Sequence, residues 1–164
     1  MKKIRSPRKS KLLCAALMAT IMIPAIGAAS EVPAYRMTVV SDASQGRAIL
    51  YGSYEKAIDK LAMKKARSHN RFSTYNNLCV AYTKTKNLEK AVDACDAAIA
   101  HTAVRRDLAV ALSNRGVLFA VSGNTEKARQ SFEEALELNA YDKDPGINLS
   151  LLSSMAQPTM ASEY

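Results

Sequence analysis

The side chains in this sequence that could support chemistry are two histidines, two cysteines beyond residue 30 and a set of regularly placed asparagines. His69 and His101 have no carboxylate or cysteine at a ligand-like interval on the same helix face, which favours structural or solvated histidines. The sequence contains no glycine-rich phosphate loop, nucleophile elbow or clustered metal-ligand set. It therefore predicts a protein that is not an enzyme, with no catalytic residue, no metal site and no cofactor.

Three asparagines, Asn77, Asn114 and Asn148, follow one another at intervals of 37 and 34 residues. A primary amide carries both hydrogen-bond donors and an acceptor. An asparagine can therefore pair with the main chain of an extended peptide whatever the side chains of that peptide are. Whether the three amides reach one surface depends on the elements that position them.

The first thirty residues have the tripartite pattern of a secretory signal peptide. A basic stretch precedes an apolar run from Leu12 to Ile23, and small residues follow, with cleavage expected after Ala29 or Ser30. Cys14 lies at the start of the apolar run, where it does not fit a lipid-attachment signal. The run is short for a bilayer span of about 20 residues, so a cleaved leader is favoured over an uncleaved anchor. We expect an exported protein of a bacterial cell envelope, located in the periplasm or, as the alternative, secreted, with no membrane association after cleavage.

Charge and composition argue against nucleic acid as the partner. The chain has a net charge of +8, but six of its 23 basic residues precede residue 12 and all 15 acidic residues follow residue 30. Without the leader, 17 basic residues face 15 acidic ones, a net charge of +2. The chain has no tryptophan and few aromatic residues, so an aromatic stacking surface is not expected. The basic cluster from Lys56 to Arg71 is interpreted as a solvated helix face.

Small residues recur at intervals that define a repeating unit. Intervals of 12 and 7 residues separate Cys79, Ala91 and Ala98, and the same intervals separate Gly116, Ala128 and Ala135. Around them, YxxLCxxY at 75–82 corresponds to LxxRGxxF at 112–119, and AxxxC at 91–95 corresponds to AxxxF at 128–132. This pattern resembles the tetratricopeptide repeat, which runs W-x-x-L-G-x-x-Y, then Ala-x-x-x-Phe, over 34 residues.

The resemblance covers roughly residues 38–155, strongly for two repeats and weakly at both ends. It implies an all-α fold: a short right-handed superhelical stack of about three antiparallel helix pairs and a C-terminal capping helix. Apolar periodicity predicts helices over 40–51, 54–68, 71–84, 88–101, 106–121, 125–138 and 144–155. Around the repeat domain at 38–155 we expect the signal peptide at 1–30, an extended lead-in at 31–37 and a flexible tail at 156–164. The small residues would mark the helix crossings, with Asn87 and Asn124 capping the helices that follow them.

Cys79 and Cys95 fall on antiparallel partner helices, at nearly equal distances from the turn near residues 85–87. Both lie on apolar faces, and an exported compartment permits oxidation. The alternative is two buried free thiols that act as small hydrophobic side chains. The sequence leaves both readings open.

The asparagines lie on successive first helices of the repeats. Asn77 points away from the packing face of its helix, and the resemblance implies that first helices line the concave surface. The three amides then form a ladder, and superhelical relatives hold peptides with such ladders. The predicted peptide-binding residues on this surface are Ser73, Asn77, Val80, Lys84, Val110, Asn114, Val117 and Asn148. The local alternative is that the asparagines bridge adjacent helices and the valines pack between repeats.

Two functions are compatible with these patterns. The first is a non-catalytic module that holds a peptide or protein segment in an accessible concave groove. The second is a structural scaffold or self-associating assembly factor that uses the convex face or the ends of the stack. A complete clamp for a C-terminal carboxylate is not expected, because Val110 stands where a lysine would help.

Overall fold

The computed structural model describes residues 34–64 and 70–156. These ranges contain seven helices: α1 (Gly46–Leu50), α2 (Tyr54–Lys64), α3 (Arg71–Lys84), α4 (Leu88–Ala100), α5 (Arg105–Val121), α6 (Thr125–Leu138) and α7 (Lys143–Ala156). None of these helices combines the length and the apolarity needed to cross a bilayer. The predicted signal peptide at 1–30, the end of the predicted helix at 54–68 and nearly all of the predicted tail at 156–164 lie outside the described residues.

The helices pack as the predicted stack. α1 contacts α2, α3 contacts α4, and α5 contacts α6, while α7 covers the last pair by contacting both α5 and α6. The first helices also touch across repeats, because α3 contacts α5 and α5 contacts α7. The prediction of an all-α stack of three helix pairs and a capping helix is therefore confirmed.

The turn between the two helices of each pair has the same geometry in all three pairs. Gly52, Lys86 and Gly123 each have a positive φ, of 77°, 59° and 81° respectively. The amide after each of them donates to a carbonyl five residues earlier, as in Asn124 N–H to Phe119 at 2.8 Å. This is the Schellman helix end, which favours glycine at the left-handed position. The predicted caps are also present, because the side chains of Asn87 and Asn124 accept from the third amide of α4 and α6.

The first helix differs from its prediction. Helix was expected over 40–51, but α1 comprises only Gly46–Leu50, and residues 34–40 are not helical. A series of turns at 41–45 separates the two parts, and Gln45 enters the helix with a φ of 61°. The physical reason is that the main chain at Thr38 and Val40 bonds to side chains of other helices instead of to its own next turn.

The small residues that define the repeat are buried where the paired helices meet. Ala91, Ala98, Ala128 and Ala135 are completely buried, and the buried Gly116 lies against the ring of Phe132. Apolar clusters continue through the stack, one joining α1 to α5 and another joining α5, α6 and α7 around Phe132. The spacing of small residues thus reports the closest approach of the helices.

Gly116→Ala is expected to lower the free energy of unfolding by about 1–3 kcal/mol, which is several degrees in Tm. An added Cβ would lie 2.5 and 2.6 Å from two ring carbons of Phe132, and that side chain is fully buried. Gly146→Ala in α7 is the matched control, since nothing lies within 4 Å of its added Cβ. The control should be neutral or gain up to about 1 kcal/mol in helix propensity. Thermal unfolding followed by circular dichroism compares the two, and equal Tm values would show that the ring has room to move.

Candidate functional site

The three ladder asparagines lie on the first helices of successive repeats and on the capping helix. Asn77 is on α3, Asn114 on α5 and Asn148 on α7, and each side chain is completely buried. What buries them is a segment of the same chain, residues 34–40, which we call the groove segment. The groove is therefore occupied, and the prediction that it is accessible was wrong.

Each ladder amide makes a pair of hydrogen bonds to one residue of the groove segment. The side chain of Asn148 accepts from the Arg36 amide at 2.8 Å and donates to its carbonyl at 2.9 Å. Asn114 accepts from the Thr38 amide at 2.8 Å and donates to the Thr38 carbonyl at 2.8 Å. Asn77 does the same with Val40, at 2.9 and 3.0 Å.

This pairing skips every second residue, which is the pattern of an extended chain whose alternate residues face the same side. It also fixes the direction of the groove segment. The segment begins at Asn148 on α7, passes Asn114 on α5 and ends at Asn77 on α3, so it runs against the order of the repeats. Each asparagine side chain bonds to the amide and to the carbonyl of one residue of the segment, and both of these are main-chain groups. The contacts therefore do not depend on the side chains of the segment.

A fourth asparagine that was not singled out from the sequence completes the network. Asn76, also fully buried, donates to the Thr38 carbonyl at 3.0 Å and accepts from Asn114 Nδ2 at 2.8 Å. Asn114 is thus bonded both to the groove segment and to the neighbouring repeat. The available sequence signal was the Asn76–Asn77 pair itself, because two adjacent amides on one helix can reach two neighbouring main-chain groups.

The side chains of the groove segment pack at the edges of the apolar clusters. Met37 and Val39 contact the cluster that joins α1 to α5, and Tyr35 and Met37 contact the cluster around Phe132. Burial raises the pKa of the Tyr35 phenol, whose hydroxyl donates to Met155 Sδ at 3.6 Å. The segment is therefore held by apolar contacts as well as by the ladder.

Asp144 is the charged group nearest to the groove segment among the contacts described. Its carboxylate lies 3.6 Å from the Arg36 guanidinium and accepts from the Thr38 hydroxyl at 3.5 Å. Since the Arg36 side chain is 57% exposed, solvent screens this ion pair and it adds little to stability.

The remaining predicted site residues divide into packed and exposed positions. Val80 and Val117 are buried in apolar clusters, and Val110 packs against a third cluster formed by Phe72, Ala98 and Ala111. These three valines therefore follow the local alternative, in which valines pack between repeats.

Ser73 is buried at the start of α3, where its amide donates to the side chain of Asn70 at 3.0 Å. Lys84 is exposed at the rim of the groove, in a depression that the groove segment also lines.

The sequence did not decide whether the two cysteines are bridged or free, and the structure shows them bridged. Cys79 on α3 and Cys95 on α4 form a disulfide, with their Cα atoms 4.8 Å apart. The bond connects the two helices of the second repeat, and both residues are buried. Cys79 is two residues from Asn77, so the bond lies next to the part of α3 that holds the groove segment.

Residues 70–140 match the family described as Tetratricopeptide repeat. No curated protein sequence matches the chain. One similar solved structure is the first tetratricopeptide-repeat domain of Spaghetti (RPAP3) bound to the HSP90 peptide SRMEEVD. It has a TM-score of 0.58 and 24% identity, covering 66% of this chain and 84% of that chain.

The family match and the helix stack agree with the intervals of 12 and 7 residues between small side chains. The matched residues run from the cap of α3 to the end of α6, which are the two repeats with the strongest sequence pattern. Residues 70–140 therefore match the tetratricopeptide-repeat family, and the described helices have the fold of a tetratricopeptide-repeat stack.

Proposed function

We propose that this protein is a non-catalytic interaction module of the bacterial cell envelope that holds an extended segment of another protein in its concave groove. The observation that carries the proposal is the ladder of paired bonds from Asn77, Asn114 and Asn148 to alternate residues of an extended chain. A surface that satisfies both main-chain groups of every second residue is a receptor for extended polypeptide.

The peptide in the similar solved structure supports a ligand-like reading of the groove segment. SRMEEVD contains an Arg-Met pair with a valine three residues after the methionine, and Arg36, Met37 and Val40 have the same arrangement. The proposal rests on the hydrogen bonds.

Site-specific photo-crosslinking in the native cells tests the proposal. A photoreactive residue at Lys84 lies at the rim of the groove, and one at Val92 lies exposed on α4, the second helix of the same repeat. We expect one protein to crosslink from position 84 and not from position 92. Crosslinking from position 92 alone would place the partner away from the groove.

A scaffold role is the second candidate, because apolar side chains are exposed at both ends of the stack. Leu50, Tyr51 and Met63 are 59%, 85% and 76% exposed near the first pair, and Met155 is 55% exposed on α7. A scaffold would show a mass in solution that rises with protein concentration and is unchanged by substitutions at the ladder. Equilibrium sedimentation over a range of concentrations measures this.

Export is part of the proposal and has its own test. The leader pattern at 1–30 predicts that the mature chain begins at Ser30 or Glu31. Intact mass of the protein isolated from the periplasmic fraction is expected to match one of these two starts. A full-length mass in the membrane fraction would instead indicate an uncleaved anchor.

A further inference from the structure

The groove segment has the contacts of a bound peptide, yet it belongs to the chain itself. We infer that residues 34–40 are an intramolecular ligand that leaves the groove while the repeats stay folded, and that a partner segment replaces it. This inference rests on the proposed function, because it assumes that the groove accepts a separate polypeptide.

The groove segment lies outside the core of the repeats. The fully buried members of the three apolar clusters come from residues 49–152, and none belongs to residues 34–40. Tyr35, Met37, Val39 and Val40 only pack at the cluster edges and remain half-buried. Departure of the segment therefore removes a covering layer and leaves the helix contacts and the disulfide in place.

The polar contacts of the groove segment can be exchanged for equivalent ones. Its paired bonds go to asparagine side chains, and water or a second main chain offers the same donors and acceptors to those amides. A segment held in a sheet or a helix would instead lose bonds to its own neighbours. The free energy of opening at this site is therefore low compared with that of the other local openings of a domain.

The connection to α1 is suited to such a movement. Turns at residues 41–45 join the groove segment to α1, and Gln45 there has a φ of 61°, which non-glycine residues rarely adopt. Gly46 must lie directly under this turn, because an added Cβ would come within 2.7 Å of Ser41 Cα and 2.8 Å of its carbonyl oxygen. The turn thus packs closely on Gly46 while the segment is docked, and only a residue without a side chain fits there.

The docked segment also indicates the chemical class of its competitor. The ladder fixes the main chain at positions 36, 38 and 40, and the apolar clusters receive Tyr35, Met37 and Val39. A partner that replaces the segment is therefore an extended stretch of about seven residues with large apolar side chains at alternate positions. It runs from α7 to α3, and Asp144 favours a basic residue near its start.

Native-state hydrogen exchange of the wild-type chain tests whether the segment leaves alone. The probes are the amides of Arg36, Thr38 and Val40, whose acceptors are the ladder side chains, and the reference is the buried amide of Leu118 in α5. We expect the three probes to exchange at least about 100-fold faster than the reference. Equal protection would show that the segment opens only with global unfolding, and it would overturn the inference.

A peptide added in trans tests the competitor and separates the inference from the proposed function. The probe is the peptide AYRMTVV, residues 34–40, with blocked ends, offered to the full chain carrying Met37→Glu and Val39→Glu. The control chain carries Ser41→Glu and Ser44→Glu, which add the same charge at exposed positions. We expect saturable binding to the first chain and binding at least about tenfold weaker to the control, where the resident segment competes.

A second peptide with glutamate at the two positions of Met37 and Val39 tests the apolar pattern. Its affinity should fall by about tenfold or more, because two apolar contacts are lost. Equal affinity of the two peptides would overturn the stated partner class. Fast exchange of the segment with no binding of either peptide would instead contradict the proposed function, because the groove would then accept only its own chain.

Discussion

Asn114→Ala is expected to free the groove segment and to lower the free energy of unfolding by about 2–4 kcal/mol. The side chain forms three hydrogen bonds: two with the main chain of Thr38 and one with Asn76 Oδ1. It is completely buried, so its removal also leaves the Asn76 oxygen without that donor inside the protein. Denaturant unfolding followed by circular dichroism measures the loss, and the amide resonance of Thr38 reports release of the segment.

Asn87→Ala is the matched control for this substitution. Asn87 is exposed, and its side chain accepts one described hydrogen bond, from the Lys90 amide at 3.4 Å, at the start of α4. Loss of a helix cap costs about 1 kcal/mol, and the groove segment should stay in place. An Asn114→Ala chain no less stable than the control, with Thr38 still protected from exchange, would mean that the apolar contacts alone hold the segment.

The helical part of the structure could be predicted from the sequence because its signal is local and repeated. Small residues at intervals of 12 and 7 fix where paired helices cross, and Asn87 and Asn124 fix where the second helices begin. Each repeat follows the same packing rule, so the two strong copies predict that further helix pairs lie on either side, although not where the first helix begins.

The occupant of the groove could not be predicted in the same way. The amides of Asn77, Asn114 and Asn148 were expected to pair with an extended main chain, and the structure shows such pairs, but with Arg36, Thr38 and Val40 of the same chain. Main-chain pairing carries no sequence signature, since every residue except proline offers the same groups. The only local signal was the alternation of Tyr35, Met37 and Val39, the pattern of a half-buried extended segment.

The helix predicted over 40–51 failed for a related reason. The prediction assigned the apolar residues from Val40 to Leu50 to one helix face because of their spacing. Ser41, Asp42 and Ser44, however, favour turns through their short polar side chains. In addition, both main-chain groups of Val40 are hydrogen-bonded to the side chain of Asn77 on α3. A contact with a residue 37 positions away in sequence thus decided a local structure.

Reduction of the disulfide is expected to lower the free energy of unfolding by about 2–4 kcal/mol. Cys79 and Cys95 are separated by 16 residues and join α3 to α4. The cross-link lowers the conformational entropy of the unfolded chain. In the chain-entropy description this is the main source of its contribution to stability. Intact mass after thiol alkylation, with and without reductant, establishes the redox state, and unfolding curves of the two forms measure the difference.

The control for reduction is the double variant Cys79→Ala, Cys95→Ala, whose unfolding curve should not respond to reductant. The redox state also links the fold to its compartment, because disulfides persist in oxidising compartments and are reduced in the cytosol. A chain produced in the cytosol without residues 1–30 should therefore carry two free thiols and show the lower stability of the reduced form. Oxidation in vitro should then restore the stability of the disulfide-bonded form. Equal stability of the two redox forms would show that α3 and α4 hold together by packing alone, through the buried side chains of Leu78, Ala91 and Ala94.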